Sequence, residues 1–511
     1  MIDLSVVIVS YNVRDLLSNC LLSVQKASKE MDTEVFVVDN ASQDDTLTVV
    51  REHFPWVRLI DAGENLGFAR ANNMALKQAT GRHLMILNPD TVVGEKSLKH
   101  LVDYLDAHPE VGAVGPKVLD PDGTFQATSK RGLPTPWPSF CKLSGLSRLF
   151  PKTRLFNHYE LGYLNPDEEN EVEVLYGAAM VVRREAYQQI GGLDEDYFMY
   201  GEDVVWSDAI RKAGFKLVYL PGEPILHVKG ESTRRSETDR DRHFFGAMRI
   251  FAHKHFRLSF FSRLLIDFGI ALALLISRIR NHKKQVGPAL FDLLLMWIAF
   301  WTVLPLSPVQ PTLGHGWTAL LFSGIGLIVF AQAGAYRKEP MKLLTFLLLS
   351  ILTFALFVGF TYFFRSRIIA PGVMALAGGF AWIYLMSWRS LLLLIRYREG
   401  LPKVLIIGTD GVAQEWADRA RRGEFGAVML IGYTCWNAAR AGDVVDELPV
   451  LGPAGETDGW LRRWRAKRVV LSLSSAQRRT MISVLEKKPL KRVQVTLVDE
   501  SLFWGAGSGV K

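Results

Sequence analysis

At 511 residues the chain is longer than one ordinary domain, so two or three folded units are expected. Hydrophobic residues make up 49%, more than a soluble enzyme of ordinary composition carries, and the excess sits between about 258 and 395. The net charge of +8 falls largely beside apolar segments, as in the run 278–284, without interleaved aromatics; this points to a membrane face and away from nucleic acid.

Taken in order, the first 240 residues alternate strand-like and helix-like stretches. Apolar, β-branched runs at 5–9, 34–38, 57–60 and 83–87 read as strands, with helical spacing over 14–26 and a helix from about residue 44. Such alternation with short loops predicts an α/β domain with a mainly parallel sheet. In these sheets ligands gather beyond the carboxyl ends of the strands. The polar residues there are Ser10, Tyr11 and Asn12 after the first run, Asp39 and Asn40 after the second, Asn65 and Gly67 after the third, and Asn88 and Asp90 after the fourth.

Residues 241–263 mix His, Arg and Lys with Phe in an amphipathic pattern. The apolar runs 289–307, 317–335, 343–364 and 372–388 are each about long enough to cross a bilayer. Basic loops at 278–284, 336–342 and 396–403 then set four crossings with both globular ends in the cytosol, although Arg365 and Arg367 weaken the pattern. The shorter run 264–277 reads as lying in the interface. From Pro402 a globular pattern resumes. Strands are expected at 403–408, 428–433, 468–473 and 494–498, with a helix from about residue 412, giving a small Rossmann-like domain. The Gly408-Thr409-Asp410-Gly411 turn lacks the glycine spacing a dinucleotide needs for close pyrophosphate approach. Cys20, Cys141 and Cys435 are odd in number and far apart, so neither a disulfide framework nor a zinc site follows. The chain opens on a strand-like run without a charged leader, so the first domain is expected to begin in the cytosol.

Three constellations carry chemistry. Asn88-Pro89-Asp90 delivers a carboxylate into a turn at the sheet edge, where a hard divalent ion, Mg2+ or Mn2+, would neutralise a diphosphate leaving group. The same tripeptide also makes a plain Asx-Pro turn. Glu202-Asp203 opens a helix after an acidic, aromatic stretch; Asp203 suits a general base for an acceptor hydroxyl, and equally an N-terminal cap. His227, after a strand, completes a metal site or serves structure.

In sequence order the blocks SVVIVSYN, VFVVDNAS, ENLGFARANN, ILNPD, YGAAMVVRREAYQQIGGLDEDYFMYGEDVVW and HVKGES resemble the family 2 glycosyltransferases, in particular their rhamnosyltransferase-like branch, over residues 3–240. The resemblance implies a GT-A fold, inverting transfer and a nucleotide-sugar donor. It implies that Tyr11 and Asp39 meet the base and ribose, and that Ser10, Asn12, Asn40, Asn65, Gly67 and Asn88 line the donor site. It further implies that Asp90 and His227 take the metal, and that Asp203 is the base beside Glu202. Asn88 departs from the first Asp of the family's metal motif, and Val205 stands where many relatives carry another Asp. Residues 287–511 resemble the amino-terminal half of polyprenyl glycosylphosphotransferases, through AGAYRKEP, SWRSLLLLIRYREG and PKVLIIGTDG, without that family's catalytic half.

The resulting expectation is a GT-A domain (1–240), an interfacial segment (241–286), a four-helix transmembrane region (287–397) and a Rossmann-like domain (398–511). The chain would be a multi-pass protein of the bacterial inner membrane that glycosylates a lipid-linked saccharide acceptor, probed against three rivals: a phosphoglycosyltransferase, a non-catalytic scaffold and a processive synthase. Self-association as a homo-oligomer stays open.

Overall fold

In the computed structural model, residues 2–228, 237–255, 267–271, 283–303 and 371–399 are described, with most of 401–498 and a few isolated positions between 274 and 355. The chain divides into two compact units, residues 1–271 with 401–511, and residues 272–400.

The first unit is built on a nine-stranded sheet. Its strands are β1 (Leu4–Ser10), β2 (Thr33–Asp39), β3 (Arg58–Asp61), β4 (His83–Leu87), β5 (Thr91–Val92), β6 (Val111–Leu119), β8 (Asn170–Glu171), β10 (Ala179–Arg183) and β11 (Lys216–His227). A separate small pair joins β7 (Lys130–Arg131) to β9 (Val174–Leu175). The sheet order is β3-β2-β1-β4-β10-β6-β11-β5, with β8 added on β11. β1, β4 and β6 are buried along their whole length, which is why they read as unbroken apolar runs rather than alternating ones. β1 pairs in parallel with β2 and β4, so Ser10 stands beside Asp39 and both chain ends open on the same edge. β10 runs antiparallel between β4 and β6, making the sheet mixed. Helices Arg14–Ala27 and Ser97–Ala107 cover one face through Leu17, Leu21, Leu98 and Leu101; helices Gly67–Leu76 and Glu202–Lys212 cover the other through Ala71, Leu76, Trp206 and Ile210. This α/β architecture fits the GT-A expectation.

A second sheet of six strands comprises β12 (Lys403–Ile407), β13 (Met429–Cys435), β14 (Val444–Val445), β15 (Leu448–Pro453), β16 (Arg468–Ser472) and β17 (Gln494–Val498), in the order β14-β15-β13-β12-β16-β17. Its neighbours pair in parallel except at the β14 hairpin. In the turn after β12, Asp410 Oδ1 accepts from Ala413 N–H (2.9 Å) and from Ser472 Oγ (2.5 Å). A carboxylate therefore caps the helix Gly411–Arg421 where a pyrophosphate would need the free amides, in keeping with the failed glycine spacing.

This second sheet shares a core with the first. Ile482, Leu485 and Leu490 pack with Val92 on β5, Leu119 on β6 and Leu226 on β11. Lys117 Nζ, buried, donates to Asp167 (2.6 Å) and to Glu486 (2.7 Å). Leu490 N–H donates to Asp122 C=O (2.6 Å).

The transmembrane expectation is corrected. Among the described residues no helix is long and apolar enough to cross a membrane, so neither the four-helix transmembrane region nor the multi-pass localisation with two cytosolic domains stands. The runs 289–307 and 372–388 belong to helices Lys283–Val303 and Pro371–Glu399. These pack on each other, with Phe291 against Trp388, and bury Ala299, Phe300 and Val303 on one helix and Ala377, Ala381 and Leu385 on the other. Lys283 and Lys284 open the first helix, Pro288 lies inside it, and buried Asp292 pairs with Arg389 of the second. Apolar length that reads as a bilayer span in sequence is, here, partly helix–helix packing around a charge pair. The runs 317–335 and 343–364, and most of 264–277, lie outside the described residues.

Gly123 makes the junction between the two sheets tight. It is left-handed at φ 84°, and a Cβ there would stand 2.1 Å from Leu485 C=O. Replacing Gly123 with Ala is expected to cost about 1–2 kcal/mol for the left-handed backbone alone, and more for the displaced Leu485. Thermal unfolding should show the loss, and hydrogen exchange should locate it at 482–490.

Candidate active site

At the carboxyl end of β1 the chain turns through Asn12, a non-glycine residue at φ 54°. Asparagine tolerates this conformation, and its side chain secures it: Oδ1 accepts from Gln43 N–H (2.6 Å) while Asn12 N–H donates to Ser42 Oγ (2.9 Å). The turn presents Tyr11, 37% exposed, beside the end of β2. Asp39 is fully buried; Oδ2 accepts from Ser42 N–H (2.9 Å), while Oδ1 and the neighbouring Ser10 Oγ have no hydrogen-bond partner among the described residues. Burial pushes the Asp39 carboxyl up from its ordinary value. Two unanswered buried polar atoms beside an exposed aromatic ring suit a ribose and a base.

Asn40 and Asn65 turn inward. Asn40 Nδ2 donates to Asn65 Oδ1 (2.9 Å) and to Gly67 C=O (3.2 Å), and Asn40 Oδ1 accepts from Leu66 N–H (2.8 Å). They shape the 64–67 loop. Gly67, at φ 79°, lets that loop close on residue 198: a Cβ would stand 2.5 Å from Phe198 C=O, which accepts from Phe68 N–H (2.7 Å).

The fourth strand end brings Asn88 and Asp90 against His227, the last residue of β11. β5 follows Asp90 directly and pairs with β11, so Thr91 lies opposite His227. His227 Nε2 is 3.1 Å from Asp90 Oδ1 and 3.3 Å from Asn88 Nδ2. The Asp90 contact lacks hydrogen-bond geometry, which leaves Oδ1 buried without a hydrogen-bond partner among the described residues. On the other side of the ring, Nδ1 faces Gln126 Oε1 (3.3 Å) and Tyr176 OH (3.4 Å). The tautomer with hydrogen on Nδ1 serves Gln126 and turns the Nε2 lone pair toward Asp90. Carboxylate oxygen and imidazole nitrogen are suitable ligands for Mn2+, so these two residues fit a divalent ion. Among the described residues no group of three or more His, Cys, Asp or Glu gathers as a metal cluster; residues 229–232 of the last sequence block lie outside the described residues.

Asp203 sits in the first turn of the helix Glu202–Lys212, which begins after left-handed Gly201. Its Oδ2 takes the guanidinium of Arg131 and Gly177 N–H (3.1 Å), and Oδ1 takes Val204 N–H (2.8 Å). Arg131 is itself buried, donates to Leu175 C=O (2.9 Å) and lies over the Tyr176 ring. Beside it Glu202 is buried with Oε2 unanswered among the described residues, and burial, then the charge of Asp203, pushes its carboxyl up to about 8.

One tripeptide links these parts. Tyr176 OH reaches His227, Gly177 N–H reaches Asp203, and Ala178 C=O accepts from Asn88 N–H (2.9 Å). Ser10, Asp39, Asn88, Asp90, Asp203 and His227 thus line the same sheet edge. Sequence reading did not single out Arg131, Tyr176 or Gln126. The Tyr-Gly-Ala step lay within a quoted block, but Lys130-Arg131 and Gln126 carry no local signal of their partners, which are over 70 residues and 101 residues away respectively in the Asp203 and His227 contacts.

The description Glycosyl transferase family 2 matches residues 5–191. N-acetylglucosaminyl-diphospho-decaprenol L-rhamnosyltransferase of Mycobacterium tuberculosis is 34% identical over 246 residues, 45% of this chain and 78% of the relative. Low-salt glycan biosynthesis hexosyltransferase Agl10 of Haloferax volcanii is 23% identical over 304 residues, 57% of this chain and 90% of the relative. A mannosyltransferase of Pyrobaculum calidifontis, solved in complex with GDP-Man and Mn2+, superposes with a TM-score of 0.35 at 16% identity, covering 76% of this chain and 89% of its own. The likeness of 287–511 to glycosylphosphotransferases is not shown by these matches. The chain belongs to glycosyl transferase family 2 and is a glycosyltransferase.

Proposed function

We propose that this glycosyltransferase moves a sugar, with inversion, from a nucleoside diphosphate donor to a polyprenyl-diphosphate-linked saccharide in the building of a cell-envelope polysaccharide. The observation that carries the reading is the Tyr176–Ala178 hub, which holds a carboxylate for the acceptor side and an Asp90–His227 pair for the diphosphate side on one edge. The lipid-linked acceptor is supported by the name of the Mycobacterium relative, an N-acetylglucosaminyl-diphospho-decaprenol L-rhamnosyltransferase.

In this reading Tyr11, Ser10 and Asp39 hold the nucleoside, and Asp39 Oδ1 accepts from a ribose hydroxyl. Asp90 and His227 would hold Mg2+ or Mn2+, which would supply positive charge to a departing diphosphate. Asp203 takes the proton from the acceptor hydroxyl as that oxygen bonds to the anomeric carbon. The bond between the anomeric carbon and the diphosphate breaks on the opposite face, and the electron pair leaves with the nucleoside diphosphate. Arg131 and Gly177 N–H engage Oδ2 and fix the direction of the Asp203 carboxylate; Oδ1, which accepts from Val204 N–H, has its second lone pair for the proton. Glu202, with a carboxyl near 8, keeps its own proton at neutral pH and so does not place a second negative charge beside the base.

Replacing Asp203 with Asn is expected to lower transfer by at least ~100-fold while nucleoside diphosphate binding, read by calorimetry, is spared; undiminished turnover would end the assignment. The nucleotide released should be the diphosphate, and a monophosphate product would instead favour sugar-phosphate transfer. Replacing Asp90 with Asn should remove the Mn2+ dependence of nucleotide binding, measured by Mn2+ electron paramagnetic resonance.

Glu202 yields a prediction for stability. Its folded-state carboxyl lies above its ordinary 4.5, so its stabilising contribution is complete below that value and is lost as pH rises toward about 8. Replacing Glu202 with Gln should therefore change the melting temperature little at pH ~5 and raise it at pH ~8, by roughly 2–4 kcal/mol of stability. Melting curves at the two pH values check this.

A further inference from the structure

The chain between β7 and β9 leaves the site and returns to it. It departs one residue after Arg131, which holds Asp203, and closes one residue before Tyr176, which holds His227. Gly132 N–H donates to Tyr159 C=O (3.0 Å) and Leu133 N–H to Glu173 (2.7 Å), so the excursion is clamped at its root. Its outer part is a pair of short helices, Pro136–Ser144 and Leu146–Leu149, bent at left-handed Gly145.

Two properties of this hairpin go together. Its tip is apolar and open: Trp137, Phe140, Leu143, Leu149, Phe150 and Leu155 are exposed, Leu149 by 73%. The aromatics are not scattered, since Trp137 stacks on Phe140 at 5.7 Å between ring centres and Phe150 lies 5.0 Å from Phe156. Around them, residues 132–159 carry Lys142, Arg148, Lys152 and Arg154 and no Asp or Glu. Arg148 and Lys152 are exposed and make no ion pair among the described residues. An apolar, aromatic tip flanked by four basic residues, of which Lys142 pairs with Glu160 at the hairpin's root while Arg148 and Lys152 stay exposed, complements a lipid surface bearing anionic headgroups. A protein partner of ordinary mixed charge has no matching call for that one-sided charge.

We propose that the 136–155 hairpin docks on the anionic headgroup layer of a lipid surface and so sets the height of the Asp203 cleft above it. The sugar to be glycosylated, at the end of a lipid diphosphate, lies at that level. The inference rests on the lipid-linked acceptor reading and names the surface that meets the lipid.

The test uses the full chain. Cys20, Cys141 and Cys435 are buried, so a nitroxide on Leu149→Cys reports the tip and one on exposed Glu52→Cys serves as reference. With vesicles of phosphatidylcholine and phosphatidylglycerol, the 149 label should become accessible to oxygen and shielded from a water-soluble nickel chelate; the 52 label should not. Adding Arg148→Gln and Lys152→Gln should weaken immersion roughly tenfold or more at low salt, and pure phosphatidylcholine should act in the same direction. A 149 label that stays open to the nickel chelate on anionic vesicles overturns the proposal. So does one already shielded before lipid is added, which assigns the face to another segment of the chain or to a protein. Immersion as expected, with no product formed on a polyprenyl-diphosphate saccharide, would instead bring down the acceptor reading and leave the docking surface standing.

Discussion

The site depends on a guanidinium and a carboxylate buried against each other. Arg131 and Asp203 are each largely withdrawn from solvent, and neither charge is cheap to bury alone. Arg131 comes from a two-residue strand and Asp203 from a helix first turn, so their pairing ties the β7–β9 ribbon to the helix that carries the base. Tyr176 lies under the Arg131 guanidinium, and through it the same constraint reaches His227 and Asp90. Breaking the pair would cost about 3–5 kcal/mol, because one charge would stay buried unpaired. The Arg131–Asp203 pair and the Tyr176 ring beside it thus join the Asp203 and His227 parts of the edge, while His227 keeps its own hold through Gln126 and the β5–β11 pairing.

The donor side follows a different logic. Asp39 Oδ1, Ser10 Oγ and Asp90 Oδ1 are buried without hydrogen-bond partners among the described residues. Each such group costs about 1–3 kcal/mol when left unanswered. They lie at the ends of strands whose backbone positions are fixed by full ladders, so the sheet supplies the stability that these atoms forgo. In the proposed reading a nucleoside and a divalent ion would offer the missing partners, and their binding would satisfy the edge.

Much of this was legible in the sequence because it is local. The apolar runs at 5–9, 34–38 and 83–87 became β1, β2 and β4 within a residue at either end, since strands buried on both faces need little else to declare themselves. The rule that ligands sit beyond the strand ends singled out Asp39 and Asp90, and both stand on one sheet edge with His227. The rest was not local. Asn40 and Asn65 look like ligand contacts after a strand, yet they hydrogen-bond to each other and to the loop. Arg131 is one basic residue among 60 Lys and Arg until the fold sets it against Asp203. The apolar runs near 289–307 and 372–388 misled for the opposite reason: hydrophobic length is visible in sequence, whereas the Asp292–Arg389 pair and the packing of one helix on the other are visible only in three dimensions.

The junction between the two sheets bears on how the chain is made. Lys117 and Glu486 are 369 positions apart. A ribosome finishes β5, β6 and β11 long before it emits Leu485 and Leu490. During that interval Val92, Leu119 and Leu226 have no cover from their eventual neighbours, on the very strands that carry Asp90 and His227. The nascent first sheet thus waits with an apolar edge open until Ile482, Leu485 and Leu490 arrive, a period when chaperone capture or mispairing competes with closure. The strand edge that carries Asp90 and His227 is therefore completed only by chain made well after β11.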